Sequence, residues 1–264
     1  MASVKAGRGR PGAARVRRGP RQLGFVFRTH GGARRGAGRP PKGERAGVSH
    51  LRRPILDARH PLHVTWRIAP SVWSLRIPAC YGALRAAFIA GCDRFGFRLA
   101  QWSIQSNHLH LIVEADDRRA LARGLKGLAV RIARRVNRLM RTKGHVFADR
   151  YHARVLRSPR EVRNALLYVL NNERKHATRP APAGRAAHPL RSFFDPYSSA
   201  LWFDGWKPPG GPHPVLPIPR AVRDHPPPVA LPATWLLRVG WRRAGLLHPL
   251  EVPGPAAARP ASRG

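Results

Sequence analysis

Two imidazoles and a phenol carry the chemistry this sequence offers. His108 and His110 stand in the run Gln105-Ser106-Asn107-His108-Leu109-His110-Leu111-Ile112-Val113-Glu114, which reads as an apolar strand. Strand side chains alternate faces, so both histidines point one way while Leu109, Leu111 and Val113 point the other, where they can be buried. The pair can share one metal ion. In a chain with 13 histidines it can equally be ordinary strand composition, and taken alone the structural reading stands ahead. Downstream, Tyr168 and Asn172 lie one helical turn apart in Glu161-Val162-Arg163-Asn164-Ala165-Leu166-Leu167-Tyr168-Val169-Leu170-Asn171-Asn172. A lone helical tyrosine is usually a surface ring, but here the amide offers a neutral oxygen ligand that can complete a site begun by the histidines.

Two imidazoles and an amide oxygen leave a divalent ion its full charge and several open positions, which suits Mg²⁺ or Mn²⁺ bound also by a phosphate. Such an ion polarises the non-bridging oxygens of a phosphodiester and holds the phosphorus in line for attack. A phenol with a reference pKa of about 10 is a modest nucleophile unless its proton is removed or its anion stabilised. A phosphotyrosine retains the energy of the broken bond, so a later 3′-hydroxyl can rejoin a strand without ATP.

These residues need a scaffold, and the hydrophobic pattern supplies one between about residues 61 and 176. His63-Val64-Thr65-Trp66-Arg67-Ile68 alternates as a first strand. Cys80, Leu84, Ala87, Phe88 and Phe95 recur at helical spacing from Pro78 to Phe95, with Pro78 in the first turn. Phe97 to Ile104 and Asn107 to Glu114 form a hairpin turned at Ser106. Asp116 and Asp117 precede a long helix whose buried stripe is Leu121, Leu125, Leu128, Ile132, Val136 and Leu139. His145 to Leu156 reads as an extended segment or a further strand. Ser158-Pro159-Arg160-Glu161 then announces a last helix, with Ser158 as N-cap, Pro159 at the first position and Glu161 placed for a capping box. Val162, Leu166, Val169 and Leu170 are its buried stripe, and Asn164, Tyr168 and Asn172 form a polar row away from the core. This order predicts an α+β ferredoxin-like sandwich, an antiparallel sheet with helices on one face, plus a C-terminal helix bearing the tyrosine.

Outside this region the composition changes. Residues 1–58 form a basic Gly/Arg/Pro-rich tail: the first 50 residues hold 13 Lys+Arg against Glu44 alone, which predicts disorder. Arg8-Gly9-Arg10-Pro11 matches the core of an AT-hook, which lies in the minor groove of A·T-rich DNA, and Gly38-Arg39-Pro40-Pro41-Lys42 looks similar. Generic phosphate binding by Arg8, Arg10, Arg39 and Lys42 is the broader reading. Residues 178–264 hold 18 of the 27 prolines and are expected to be largely irregular. Their aromatics, among them Phe193, Trp202, Trp206, Trp235 and Trp241, are too many for a linker, so part of this extension should pack on the core. Thr234 to Arg243 reads as a short basic helix capped by Thr234. Its aromatics are expected to serve as anchors rather than as a stack for bases.

A net charge of +36 exceeds what solubility requires and points to a polyanion, nucleic acid first and a membrane surface second. No run approaches the roughly 18 apolar residues of a membrane span, and Gly and Pro interrupt the Arg-rich start too often for an amphipathic transit helix. A cytoplasmic, nucleoid-associated protein is therefore expected. Cys80 and Cys92 support neither a disulfide framework nor a cysteine-ligated zinc site. Arg131, Arg134, Arg135, Arg138 and Arg141 line the outer face of the long helix, as a solvated surface or a phosphate-facing one.

The chain resembles the single-tyrosine HUH transposases, which are IS200-like, and within them the REP-associated tyrosine transposases of bacteria. The resemblance covers about residues 59–176. It rests on His63-Val64-Thr65, on Asn107-His108-Leu109-His110-Leu111-Ile112-Val113, on Gly144-His145-Val146-Phe147-Ala148-Asp149-Arg150-Tyr151-His152 and on Tyr168-Val169-Leu170-Asn171-Asn172. It implies that His108, His110 and Asn172 are metal ligands for Mg²⁺ or Mn²⁺ and that Tyr168 forms a 5′-phosphotyrosine on single-stranded DNA near hairpins. Ser106 and Glu173 depart from the family, which often has proline at both places. The partner is then single-stranded or hairpin DNA, with a homodimer left open because relatives include dimers that exchange this helix and monomers. A DNA-binding protein without catalysis, such as a domesticated architectural remnant, is an alternative of another class; a replication or relaxase-type HUH nuclease is a third.

Overall fold

The alternation in Leu62–Arg67 is a strand, β1, in the computed structural model of the chain, which describes residues 56–177, 194–207 and 226–254. Four more strands follow: β2 Asp93–Arg94, β3 Phe97–Ile104, β4 His108–Ala115 and β5 His152–Val155. They form one antiparallel sheet in the order β2-β3-β4-β1-β5. Among the described residues no helix is long and apolar enough to cross a membrane.

Two layers of helix cover this sheet. Helices α1 (Pro78–Ile89) and α2 (Arg118–Met140) bury Leu84, Phe88, Leu125, Leu128 and Ile132 against Leu62, Val64, Trp66, Leu109, Leu111 and Val113. The Asp117 carboxylate accepts the Ala120 N–H at 2.6 Å and caps α2, an interaction worth about 1 kcal/mol. Gly124 lets α2 approach β3 closely, because a Cβ there would overlap the Phe97 ring. The opposite face carries α3 (Pro159–Leu170), whose Val162, Leu166, Val169 and Leu170 meet Ala100 and Ile112. Ser158 caps α3 through its hydroxyl, which accepts the Glu161 N–H at 3.2 Å. The Glu161 carboxylate reaches back to the Arg157 N–H at 2.7 Å, one residue before the cap itself.

The architecture is the predicted α+β sandwich, with corrections. Helix α1 ends at Ile89 rather than near Phe95. Phe95, predicted to lie in a buried helical stripe, stands in the β2–β3 turn with φ 52° and is 76 % exposed. Gly96 completes that turn at φ 75°, where a Cβ would strike Asp116; helical spacing of apolar residues across Gly91 and Gly96 was therefore accidental. Only four residues of the extended segment after Gly144 form a strand, β5, which pairs with Leu62 to Thr65 of β1, while Phe147 upstream makes an isolated bridge to Ile68. The tyrosine helix is also not continuous to Asn172: it ends at Leu170, Asn171 adopts φ −109°, and Asn172 starts the short helix α4 (Asn172–Ala177). Both cysteines are free, and burial pushes their thiols up, as inert structural thiols require.

The two described parts of the C-terminal extension complete the second layer. Residues 194–207 run beside β3, where the Ile104 N–H donates to the Tyr197 carbonyl and the Ser199 N–H to the Trp102 carbonyl. Residues 226–254 supply Leu236, Leu237, Trp241 and Leu247 to the cluster around α3. As predicted, Thr234 caps a helix, Trp235–Arg238, by accepting the Leu237 N–H at 3.3 Å. The buried carboxylate of Glu114 on β4 accepts the Ala233 N–H, the Thr234 N–H and the Thr234 hydroxyl at 2.7, 2.9 and 2.6 Å. Buried acceptors need such partners, and these come from more than a hundred residues downstream.

Candidate active site

The register of β1 and β4 sets the site. His110 faces Thr65 across the strand pair and His108 faces Arg67, while β5 places His152 beside Thr65 and Arg154 beside His63. Cross-strand partners share a face, so His63, Thr65, Arg67, His108, His110, His152 and Arg154 all lie on the face covered by α3. The His108 and His110 rings are 4.7 Å apart, centre to centre. Tyr168 comes down from α3 with its ring 4.9 Å from His110 and 5.7 Å from His63, edge-on to both. Tyr168 is half-buried, not on an outer polar row; Asn164 remains exposed and Asn172 is fully buried.

The hydrogen bonds fix the tautomer of His108 and are compatible with the same one in His110. His108 Nδ1–H donates to the Asn107 side-chain oxygen at 2.8 Å, which leaves the lone pair on Nε2. His110 Nδ1 lies 3.2 Å from His63 Nε2 and 3.3 Å from the Thr65 hydroxyl. With the proton on Nδ1 donated to His63 or Thr65, His110 also presents Nε2 as its donor atom, the arrangement a ligating histidine adopts. Burial first, then the neighbouring His152 and Arg154, holds the His63 imidazole down at about 4. His63 is therefore neutral near pH 7 and able to accept this bond.

Asn172 supplies the observation on which a metal can be tested. Both atoms of its amide are buried without a hydrogen-bond partner, a costly state for an amide that nothing engages. Among the described residues no group of three or more His, Cys, Asp or Glu side chains is placed to hold a metal, so any ion must rely on an amide beside two imidazoles. The residues present fit that role: two imidazoles able to present Nε2, and a buried amide at the start of α4, four residues beyond Tyr168. Lys175, on the next turn, stands 4.7 Å above the Tyr168 ring.

The extension holds this helix in place. Arg163 of α3 makes a two-pronged ion pair with Glu251 at 2.9 and 2.8 Å and donates to the Gly245 and Leu246 carbonyls. Asn171, at the break between α3 and α4, donates to the His248, Pro249 and Glu251 carbonyls. Arg76 ties Glu173 of α4 to Asp195 at 3.1 and 2.9 Å. The two histidines and Tyr168 thus come together within one chain.

Other expected residues stand elsewhere. Arg131, Arg134, Arg135 and Arg138 lie on α2, in the layer on the far side of the sheet from Tyr168, and Arg141 is the last residue of that surface. Arg8, Arg10, Arg39 and Lys42 fall outside the described residues. The cations that do surround the site, Arg67, Arg154 and Lys175, were not singled out by the sequence reading; only the strand register and the turn into α4 bring them in. His63 and Thr65 were visible as part of a motif, but without a role.

The sequence profile described as "Transposase IS200 like" matches residues 61–172. A solved structure of a REP-associated tyrosine transposase bound to a REP hairpin is 16 % identical and has a TM-score of 0.38, over 46 % of this chain and 70 % of that one. A protein designated a transposase from Deinococcus radiodurans R1 is 14 % identical with a TM-score of 0.32, over 39 % of this chain and 85 % of that one. No curated protein matches. The segment that matches the IS200-like transposases begins at the first strand and ends at Asn172, and so contains His63, His108, His110, Tyr168 and Asn172.

Proposed function

We propose that this protein is a transposase that cuts and rejoins single-stranded DNA near hairpins through a 5′-phosphotyrosine on Tyr168. The observation that carries the reading is the placement of the Tyr168 ring against His110, on the one sheet face that presents both histidines. His108, His110 and Asn172 would hold Mg²⁺ or Mn²⁺, which would supply Lewis-acid polarisation of the scissile phosphate. The protein's own groups do the rest. Asn107 and His63 hold the two imidazoles in one tautomer, and Arg67, Arg154 and Lys175 offer positive charge to the phosphates on either side of the break. Tyr168 attacks phosphorus and the 3′-oxygen leaves; reversal by a different 3′-hydroxyl breaks the phosphotyrosine and forms the new strand.

In this reading residues 59–177 are the catalytic domain. The basic segment 1–58 adds phosphate contacts, the outer arginines of α2 serve a second stretch of nucleic acid, and residues 226–254 steady α3. The test uses labelled single-stranded DNA with flanking hairpins and Mn²⁺. A covalent adduct that survives denaturation is expected, lost in Tyr168→Phe and reduced at least a hundredfold in His108→Ala. An undiminished adduct in Tyr168→Phe would remove the tyrosine from the mechanism.

A further inference from the structure

Next to the site, on the same side of the sheet, lies a cleft that the proposed cleavage chemistry does not use. It encloses about 720 Å³ between the chain entering β1, the start of α3 and the Trp235 helix, and its lining includes Arg59, His60, Arg98, Arg157 and Trp235. That volume is within the range of pockets that take small ligands. The residues come from four separate parts of the sequence, so the cleft exists only because the extension folds back on the core.

Its two notable groups are an exposed ring and an uncompensated charge. Trp235 is 50 % exposed while the next two residues, Leu236 and Leu237, are buried. The ring is held rigidly: Thr234 beside it is pinned by Glu114, a Cβ at Gly240 would come within 2.6 Å of the ring, and the Arg243 guanidinium lies 5.0 Å from its centre. Arg59 is spent on Asp57, and Arg98 on Glu114 and Asp116. Arg157 is exposed, and among the described residues its guanidinium makes no ion pair. A fixed, half-exposed aromatic beside an open cation is the pairing that binds a base and its phosphate in a single strand.

Two short spans of chain link the cleft to the active site. His60 stands three residues before His63, a span of about 10 Å in extended chain. Arg154, opposite His63 in the sheet, is followed three residues later by Arg157. A strand leaving Tyr168 past Arg154 reaches Arg157 and then Trp235.

We propose that this cleft is a second DNA-contact site, in which Trp235 stacks on an unpaired base and Arg157 takes the adjoining phosphate of the strand that crosses the active site. The proposal rests on the reading of single-stranded DNA as substrate. It gives the extension a part in substrate binding as well as in packing, where the sequence put an anchor ahead of a stack for bases.

The test is made on the full chain carrying Tyr168→Phe, so that binding is measured without cleavage. The probe is a fluorescent oligothymidine longer than about 16 nucleotides, enough to cover both places. Trp235→Ala is expected to weaken binding at least fivefold, Trp235→Phe to restore most of the loss, and Arg157→Ala to lower the slope of log affinity against log salt by about 0.7, the contribution of one phosphate. In a separate arm that needs no variant at Trp235, irradiation of an oligonucleotide bearing 5-iododeoxyuridine should crosslink to Trp235. Binding that is tight but indifferent to both residues, with no crosslink there, overturns the cleft and leaves the catalytic reading standing. A chain that binds no single-stranded DNA overturns both.

Discussion

The two faces of the sheet divide the work of this molecule. Beneath α1 and α2 every inward strand residue is apolar, from Leu62, Val64 and Trp66 to Leu109, Leu111 and Val113. Beneath α3 the same strands present His63, Thr65, His108 and His110 beside a smaller apolar patch of Ala100 and Ile112. A sheet can carry buried histidines on one face because the other face supplies the cohesion. The second face makes up its deficit with cover from residues 194–207 and 226–254, which add Ala200, Phe203, Leu236, Leu237, Trp241 and Leu247 to its apolar cluster as well as hydrogen bonds and ion pairs.

The comparison can be broken at Leu111 and His110, adjacent residues that point to opposite faces. Leu111→Ala should cost about 2–5 kcal/mol, as for other fully buried leucines, whereas His110→Ala should change stability by less than about 1 kcal/mol while abolishing the DNA adduct. Urea unfolding of the two variants checks this, and equal losses would refute the division.

A smaller effect is expected at the join between core and extension. Glu114→Leu removes the acceptor for Ala233, Thr234 and Arg98 and should cost about 1–3 kcal/mol, the usual consequence of stranding buried donors. Limited proteolysis should show cleavage within residues 226–254 before the sheet is lost. A variant as resistant as the wild type would mean that the apolar contacts of Leu236, Leu237 and Trp241 hold the extension alone.

The smallest effect is one of pH. Burial raises the Glu251 carboxyl, but the Arg163 guanidinium and the His248 N–H outweigh it and leave its pKa below the ordinary value. A carboxyl depressed in the folded state contributes stability above its unfolded pKa of about 4.3, and that contribution fades as pH falls through the lower folded value. Because Glu251 is partly exposed, the loss should be a fraction of a kcal/mol. Glu251→Gln should accordingly be slightly less stable than wild type at pH 7 and converge on it below about pH 4, as followed by thermal melting. A constant gap across that range would take the ion pair out of the account.

Much of this was legible in the sequence because the governing patterns are local. Alternation put His108 and His110 on one face, and Ser158-Pro159-x-Glu161 marked the start of α3. What was not legible depends on distant pairing. The β1–β4 register turns Thr65 and His63 into neighbours of His110, and nothing near Glu114 announces that its partners are Ala233 and Thr234. Phe95 misled for the converse reason: its apolar spacing was local, but a tight turn through Gly96 overrode it. The break at Asn171 was hidden as well, since three backbone carbonyls from residues 248, 249 and 251 hold its side chain and no helix-breaking residue signals the stop.

Tyr168 and the histidine pair are proposed to act together on DNA within a single chain, across one face of the sheet. The direct measurement mixes Tyr168→Phe with His108→Ala at equal concentration and scores covalent adduct on labelled single-stranded DNA with Mn²⁺, beside wild type. Adduct is expected in wild type alone, on the tryptic peptide 164–174 that contains Tyr168. Restoration of adduct in the mixture would show that the tyrosine serves a partner's histidines, and absence of adduct in wild type would contradict the account outright.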